Sequence, residues 1–409
     1  MKNKLFVCAL VTNAAFSLPA SAAVLTATSA TIGSVFASAQ DGDTIKLQGN
    51  FGSFALQNRS FATRLTVDAS AATVSDTLTI RNVSNLYLTG GKFGSTTSAM
   101  RSGRAIAVYN GANVSIVKAT VANNGIDMGI TFAGTIRPTV TAVAFSGGKV
   151  GLAVTSVSDA KLSSNSFTKM SSDGINVVDS QRVNVTANKC SGTAPLVGAH
   201  PDCVQLWSLA GKPMQSDISI TNNIISGATQ GITSFDPKAA SGIRITITGN
   251  DLFTSYPQGI ACYGCFDSVI SNNTLRTMAD ATWRTSINVV GGSGNIVTNN
   301  SVAELGAFSG SAGSGSDDAA IVDTTAAEPN WLDTSQFTEQ VPDLLLQDLA
   351  LLDAAATGNN TALDQTGGGL AAFAANTSAA VPEPGIWLQL LTGFSLAGMA
   401  LRRRHASIA

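Results

Sequence analysis

The side chains best suited to acid/base chemistry are concentrated in residues 200–205, which read His-Pro-Asp-Cys-Val-Gln. This stretch brings together an imidazole, a carboxylate and an amide. His200 is suited to act as a general acid or base, because an imidazole titrates close to neutral pH. Asp202 could orient His200 or act as a second carboxylate beside it. His200 and Asp202 are therefore the first catalytic candidates.

Another carboxylate, Asp173, occupies the equivalent position about one repeat earlier in the chain. If Asp173 and Asp202 approach each other, their repulsion raises one pKa, and the pair could serve acid/base catalysis or hold a cation such as Ca²⁺. A purely structural role stays open, since Asp before Gly is a common turn residue and a single His often only caps a backbone group.

Lys238 supplies a positive charge in the same part of the repeat. A lysine can neutralise the carboxylate of a uronic acid sugar and so acidify the neighbouring α-proton, which β-elimination requires. Lys238 is therefore a further catalytic candidate, with an ordinary surface charge as the competing explanation.

Two columns of residues recur with one period along the chain. Aliphatic residues are spaced 22 to 29 residues apart, and a second column of asparagines recurs beside them at 23 to 27 residues, with one interval of 35. The aliphatic column is Ile106, Ile130, Leu152, Ile175, Val204, Ile232, Ile260 and Ile287. The asparagine column is Asn165, Asn188, Asn223, Asn250, Asn273 and Asn300. Coils of this length suit three short strands per turn, and stacked Asn side chains can bond one another along such a solenoid.

The alternation of side chains along a strand turns this repeat into a prediction about a surface. If the aliphatic column points inward, Asn176 and Gln205 point outward and could bond sugar hydroxyls. Trp207, Phe235 and Tyr263 also point outward, on three successive coils, and could stack on sugar rings. A loop or the C-terminal segment covering these aromatic residues is the alternative.

The repeat resembles the right-handed parallel β-helix of pectate lyases and their relatives, over about residues 40–305. This resemblance implies an all-β solenoid, which we place at 23–305, but it implies no particular activity. Ile32, Val35, Phe36 and Ala39 share one helical face and predict a short helix that covers the N-terminal end of the solenoid. Neither the Asp-Asp nor the Gly-His-Gly signature of polygalacturonases occurs in residues 40–305.

The N-terminal residues 1–22 have the pattern of a secretory signal peptide, with cleavage expected near Ala22 or Ala23. Export to an oxidising compartment permits disulfides among the four remaining cysteines. The preferred pairing is Cys190 with Cys203 and Cys262 with Cys265, and four small buried hydrophobic residues are the alternative.

The C-terminal residues 381–409 combine three features in order: Pro382-Glu383-Pro384, an apolar stretch at 386–401, and a basic end. The basic end is Arg402, Arg403 and Arg404. This segment resembles the PEP-CTERM sorting signal. The resemblance implies cleavage by an exosortase after a transient stay of the hydrophobic helix in the inner membrane, in a cell that makes exopolysaccharide. A simple membrane anchor is the alternative. Residues 306–380 predict a flexible linker, with a short helix at 340–355.

The low charge, with 12% charged residues and a formal net charge of −2, gives no reason to expect nucleic acid as a partner. The leading hypothesis is an exported surface or extracellular protein that binds an acidic exopolysaccharide. Cleavage or epimerisation of that polymer, by a lyase-like, epimerase-like or glycoside hydrolase-like mechanism, stays open. The rival hypothesis is a structural or adhesive protein of the exopolysaccharide matrix without catalysis.

Overall fold

The computed structural model describes residues 22–196, 199, 201–208, 212–234, 242–302 and 320–321. All of them belong to the first of two compact units of the chain, Met1–Leu349. The predicted signal peptide before residue 22, the predicted linker helix and the predicted sorting signal lie outside the described residues. Among the described residues, no helix combines the length and apolar character that crossing a membrane requires.

The described chain coils into a parallel β-helix of about 11 turns, as the repeat predicted. In each full coil the chain passes through a first, a second and a third sheet, and each strand pairs in parallel with its equivalents one coil away. A strand in such a stack has neighbours on both sides at the usual spacing of about 4.8 Å, so the backbone hydrogen bonds run along the solenoid.

The strands of the first sheet are Arg104–Tyr109, Met128–Ala133, Leu152–Thr155, Ile175–Val178, Asp202–Trp207, Gln230–Ser234, Gln258–Tyr263 and Ser286–Val290. Those of the second are Val24–Ala27, Ala112–Val117, Thr139–Thr141, Lys161–Ser163, Asn184–Thr186, Ser219–Thr221, Thr246–Thr248, Val269–Ser271 and Ile296–Thr298. Those of the third are Lys92–Phe93, Thr120–Ala122, Ala144–Ser146, Ser166–Thr168, Lys189–Ser191, Ile224–Gly227, Asp251–Thr254, Thr274–Thr277 and Ser301–Val302.

The first coils use longer strands that bend through the corners. Thr44–Phe51 serves the second and third sheets, Phe54–Val74 serves all three, and Leu78–Thr89 serves the first and second. Two short strands, Gly242–Ile243 and Cys265–Phe266, pair with each other. The strand Ala320–Ile321 pairs antiparallel with Ile296–Thr298.

The interior of the solenoid is filled by the predicted aliphatic column. Val204 pairs with Ile175 on one side and with Ile232 on the other, and Ile260 follows on the next rung. All four side chains are fully buried in one continuous hydrophobic core. Burying one such side chain stabilises the fold by about 1.5–3 kcal/mol, so the stacked column is a main source of stability.

The asparagine column forms the predicted ladder of side-chain hydrogen bonds. The Asn223 side chain donates to Asn250 Oδ1 at 2.9 Å and to the Val185 carbonyl at 3.1 Å, and Asn223 Oδ1 accepts from the Asn188 side chain at 3.1 Å. The same pattern joins Asn165 to Asn188 at one end and continues to Asn300 at the other. Each buried amide is therefore satisfied by the coils next to it.

The predicted N-terminal helix is present at Ile32–Ser38, with Ile32 and Phe36 buried against the core. Arg59 fixes its end by donating to the Ala39 carbonyl at 2.6 Å. A helix in this place closes the end of the stack, where an uncovered rung would invite pairing with another chain.

Both predicted disulfides form. Cys190 is bonded to Cys203 with a Cα–Cα distance of 5.8 Å, and Cys262 to Cys265 with 5.6 Å. Cys203 stands at the corner where neighbouring coils have glycines such as Gly174 and Gly231. The first disulfide therefore joins the end of one coil to the beginning of the next.

Candidate functional site

The outer face of the first sheet carries the predicted binding residues in two rows. In one row, Asn176 pairs with Gln205, and Gln205 pairs with Thr233 on the following rung. In the other row, Val178 pairs with Trp207. Tyr263 stands in the same row two coils after Trp207, because the intervening strands pair in unbroken register. Alternation along each strand thus directs these side chains away from the core, as predicted.

The predicted exposure of these residues is wrong. Trp207 is 5% exposed and Tyr263 is 9% exposed, while Asn176 and Gln205 are fully buried. Trp207 packs into a hydrophobic cluster of its own on the outer face, separate from the core inside the solenoid. The other members of this cluster are Met128, Val150, Ala153 and Val178. The face is therefore covered, which was the alternative to an open aromatic surface.

Several polar groups on this covered face have no hydrogen-bond partner among the described residues. Both polar atoms of the Asn176 side chain, the hydroxyl groups of Thr131 and Thr155, and the indole N–H of Trp207 are in this situation. Thr131 and Asn176 lie in one row, two coils apart, and Thr155 precedes Val178 in the other. Each buried polar group without a partner costs about 1–3 kcal/mol, so such a concentration is unusual in a surface that serves stability alone.

The two predicted carboxylates lie on adjacent coils and are both buried. Asp173 Oδ1 accepts a hydrogen bond from the Asp202 backbone N–H at 3.0 Å, and Asp202 Oδ1 accepts one from the Thr233 hydroxyl at 2.9 Å. Asp173 therefore stabilises the entry of the chain into the next strand, which is the structural role that its turn position allowed. Asp202 contacts the same row of outward side chains that holds Gln205.

Three predicted site residues, His200, Lys238 and Phe235, lie outside the described residues. Their predicted roles stay predictions. The possible Ca²⁺ site stays a prediction too, since no cluster of three or more His, Cys, Asp or Glu side chains occurs within the described part of the chain.

Arg244, six residues after Lys238 in the chain, forms an ion pair on the outside of the solenoid. Arg244 is bound to Asp217 on the preceding coil by two hydrogen bonds of 2.6 and 2.8 Å. Arg182 is bound to Asp159 in the same way, at 2.6 and 3.1 Å. These residues occupy one exterior corner on successive coils, so the corner carries alternating charges that satisfy one another.

Sequence reasoning placed Thr233 on the outer face but missed Gln230 and the hydrogen bond that Thr233 donates. Gln230 extends the row of Asp202, with which it pairs, and Thr233 is the hydrogen-bond donor to Asp202. The register of the aliphatic column could have placed Gln230 as well. Trp283, 58% exposed in the turn before the strand Ser286–Val290, is an open aromatic side chain near the C-terminal end of the same sheet.

Comparison with known proteins supports the architecture. The family model described as a right-handed beta helix region matches residues 66–210. No curated protein matches the chain in sequence.

Solved structures with similar folds have low sequence identity to the chain. An alginate lyase from Paenibacillus sp. is 16% identical with a TM-score of 0.52, over 65% of this chain and 99% of that one. A surface adhesin of Streptococcus pneumoniae is 12% identical with a TM-score of 0.45, over 64% and 78%. The A-module of a mannuronan C-5 epimerase from Azotobacter vinelandii is 12% identical with a TM-score of 0.41, over 69% and 91%.

The strand register, the stacked interior column and the family match over residues 66–210 lead to the same architecture. The described residues therefore fold as a right-handed parallel β-helix, and residues 66–210 match the family model of that description.

Proposed function

We propose that the protein binds an acidic polysaccharide along the outer face of its first sheet, outside the cell. The supporting observation is the set of buried polar groups without partners on that face, centred on the Asn176 amide. Sugars supply what these groups lack, because each ring carries several hydroxyl groups that donate and accept hydrogen bonds. The apolar side of a sugar ring also packs well against an aromatic ring such as that of Trp207.

Binding at this face requires a rearrangement, since Trp207 and Asn176 are covered in the structure. The free energy of binding must include the cost of that opening, so affinity is lower than the contacts alone would give. The same cost favours long polymers over short ones, because a polymer that contacts several coils gains more hydrogen bonds for one opening event.

Catalysis would depend on His200 as acid or base, with Asp202 two residues after it in the chain and Lys238 to neutralise a uronate carboxylate. An alginate lyase is among the proteins of similar fold, which makes elimination or epimerisation at a uronate the first chemistry to test. The predicted signal peptide and sorting tail agree with placement at the cell surface or in the extracellular matrix, after processing by an exosortase at the inner membrane.

A structural or adhesive role without catalysis is the second candidate. The hydrogen bonds of Asp173 and Asp202 favour it, because both buried carboxylates already serve the backbone or a neighbouring hydroxyl. A surface that binds a polymer without turning it over would need no free carboxylate.

The direct test is isothermal titration calorimetry of the purified protein with alginate, with pectate and with neutral dextran. We expect binding of an acidic polymer, no binding of dextran, and at least tenfold weaker binding by Trp207→Phe, which keeps an aromatic ring but is smaller than the indole and lacks its N–H. Trp283→Phe is the matched control, since Trp283 stands in the exposed turn outside the two rows. Failure of the wild type to bind any acidic polymer, or equal binding by Trp207→Phe, contradicts the proposal.

Turnover separates the two candidates. A lyase produces unsaturated sugar ends that absorb near 235 nm, and an epimerase changes the ratio of uronate epimers, which proton NMR resolves. If the protein is an enzyme, the wild type should give one of these two signals, and His200→Ala should not give it. Binding without either signal favours the adhesive role.

A further inference from the structure

The first described residues are fixed by a buried carboxylate. The backbone N–H of Ala23 donates to Asp43 Oδ1 at 2.7 Å, and the backbone N–H of Gln40 donates to Asp43 Oδ2 at 2.7 Å. The Ala23 carbonyl in turn accepts from the Thr44 backbone N–H at 2.8 Å. Asp43 thereby joins the start of the first strand, Val24–Ala27, to the start of the next, Thr44–Phe51.

Asp43 has no cationic partner among the described residues, although it is only 4% exposed. A buried carboxylate without a cation is costly, and two backbone N–H donors compensate only part of its lost hydration. A positive charge at the position of the Ala23 nitrogen would complete the site.

The sequence places a processing site at that nitrogen. Residues 20–22 read Ala-Ser-Ala, with small side chains at the first and third positions before the Ala22–Ala23 bond. Small residues at these two positions are what a signal peptidase requires, and the apolar stretch before them completes the pattern.

We propose that export cleaves the Ala22–Ala23 bond and that the new α-ammonium of Ala23 forms an ion pair with the buried Asp43 carboxylate. In the cleavage, water adds across the peptide bond, Ala22 leaves with the carboxylate, and Ala23 keeps the amine. An α-amino group has an ordinary pKa of about 7.7–8.0, so it is mostly protonated at neutral pH, and the nearby carboxylate favours the protonated form further.

The pairing depends on the position of the cut. A cut after Ala23 removes the residue that donates to Asp43. A cut before Ala22 leaves a neutral backbone N–H at position 23, as in the uncleaved chain. In the uncleaved chain only the acceptor of this hydrogen bond carries a charge. Only cleavage between Ala22 and Ala23 puts the opposite charge on the donor as well, which turns the hydrogen bond into an ion pair. Processing thus completes the first coil of the solenoid.

The first experiment is N-terminal sequencing and intact mass measurement of the exported protein. We expect Ala23 as the first residue, and any other mature N-terminus overturns the proposal.

The second experiment measures how much the α-ammonium charge of Ala23 contributes to stability. Full-length mature chains are produced from a fusion that leaves either Ala23 or Gly-Ser-Ala22 at the N-terminus, each with and without Asp43→Asn. We expect Asp43→Asn to lower the Tm by at least about 3 °C more in the Ala23 chain than in the extended chain. Asp41→Asn is the control. Asp41 Oδ1 accepts its hydrogen bond from the Ala62 N–H at 2.8 Å, not from Ala23, so the decrease in Tm that Asp41→Asn causes should be equal in both chains.

An equal effect of Asp43→Asn in the two chains overturns the ion pair. If Asp43→Asn does not fold, selective acetylation of the Ala23 amine removes the charge while Asp43 stays intact. The expected Tm decrease is the same, and an unchanged Tm after acetylation also overturns the proposal.

Discussion

Asn176 and Asn223 are equally buried, yet their side chains are in opposite situations. Asn223 belongs to the ladder and bonds to the coils on both sides. Asn176 lies on the outer face of the first sheet, and neither of its polar atoms has a partner among the described residues. A buried amide that is satisfied supports the fold, whereas one that is not reduces stability and points to a role outside folding.

Leucine has nearly the shape of asparagine but no polar atoms, so it separates these two roles. We expect Asn176→Leu to raise the stability by about 1 kcal/mol or more, because a polar desolvation penalty disappears. The same variant should lose affinity for acidic polysaccharide. Chemical denaturation and calorimetry measure the two effects.

Asn223→Leu is the matched control for this substitution. It leaves the Asn250 acceptor and the Val185 carbonyl unpaired, so we expect a loss of about 3 kcal/mol or more. If both variants lose stability, the Asn176 amide has a structural partner and the argument for a binding face fails.

Close packing at the corners limits which residues the coils accept. A Cβ added to Gly231 would lie 2.0 Å from the Gly259 carbonyl oxygen and 2.3 Å from Leu252 Cδ2. The first of these atoms is backbone and cannot move away without disturbing the next coil. In contrast, Gly33 in the N-terminal helix has no atom within 4 Å of such a Cβ.

We therefore expect opposite results from one substitution at two glycines. Gly231→Ala should destabilise the protein by about 2 kcal/mol or more, as overpacking in a rigid core does. Gly33→Ala should stabilise it by about 0.5–1 kcal/mol, since alanine is the better helix former. Thermal unfolding of the two variants measures both, and a harmless Gly231→Ala would contradict the close stacking of the first sheet.

The charged corner should make stability depend on acid. The hydrogen bond from Arg244 lowers the pKa of Asp217 to about 2, with further contributions from Ser216 and Arg182. The hydrogen bond from Arg182 likewise lowers the pKa of Asp159. A depressed carboxyl pKa contributes stability above the ordinary value of 3.8, and the contribution is lost as the pH falls toward 2.

We expect Asp217→Asn to lower the Tm by about 1–3 °C at pH 7 and to have a much smaller effect near pH 2, where about half of the wild-type carboxyl groups are protonated. The effect stays small because the ion pair is partly exposed. Asp280→Asn, at an exposed turn position, is the control and should change little at any pH. If the Tm difference between the wild type and Asp217→Asn stays unchanged down to pH 2, the charge of Asp217 contributes nothing to stability and its side chain acts only through hydrogen bonds.

The two disulfides constrain the whole molecule to different degrees. Cys190 and Cys203 are 13 residues apart, and Cys262 and Cys265 only three. In the chain-entropy model, closing the larger loop contributes about 3 kcal/mol and closing the smaller one about 2 kcal/mol. The first bond also joins two coils, so its loss loosens their stacking.

We expect Cys190→Ala with Cys203→Ala to lower the Tm more than Cys262→Ala with Cys265→Ala. Mass spectrometry without reductant should first show both bonds in the exported wild type. If the Cys262/Cys265 double variant lowers the Tm more, the size of the closed loop does not determine how much each disulfide contributes to stability.

The sequence by itself determined the solenoid. The inward aliphatic column follows from residues that recur every 22 to 29 positions, and the asparagine ladder from a second column that recurs once per coil, because equivalent coils must bury the same edge. The N-terminal helix and both disulfide pairs followed from equally short-range patterns. The direction in which Trp207 and Asn176 point was also determined, since alternation along a strand is a local property.

The tertiary structure decided what lies against those outward side chains. Strand alternation assigns a face, but whether water or protein covers that face depends on residues far away in the chain. The same holds for Asp43, whose turn position is visible in the sequence while its contact with the Ala23 nitrogen is not. Burial and hydrogen bonds between residues distant in the chain therefore decide the proposed roles of Trp207, Asn176 and Asp43, and the tertiary structure alone supplies both.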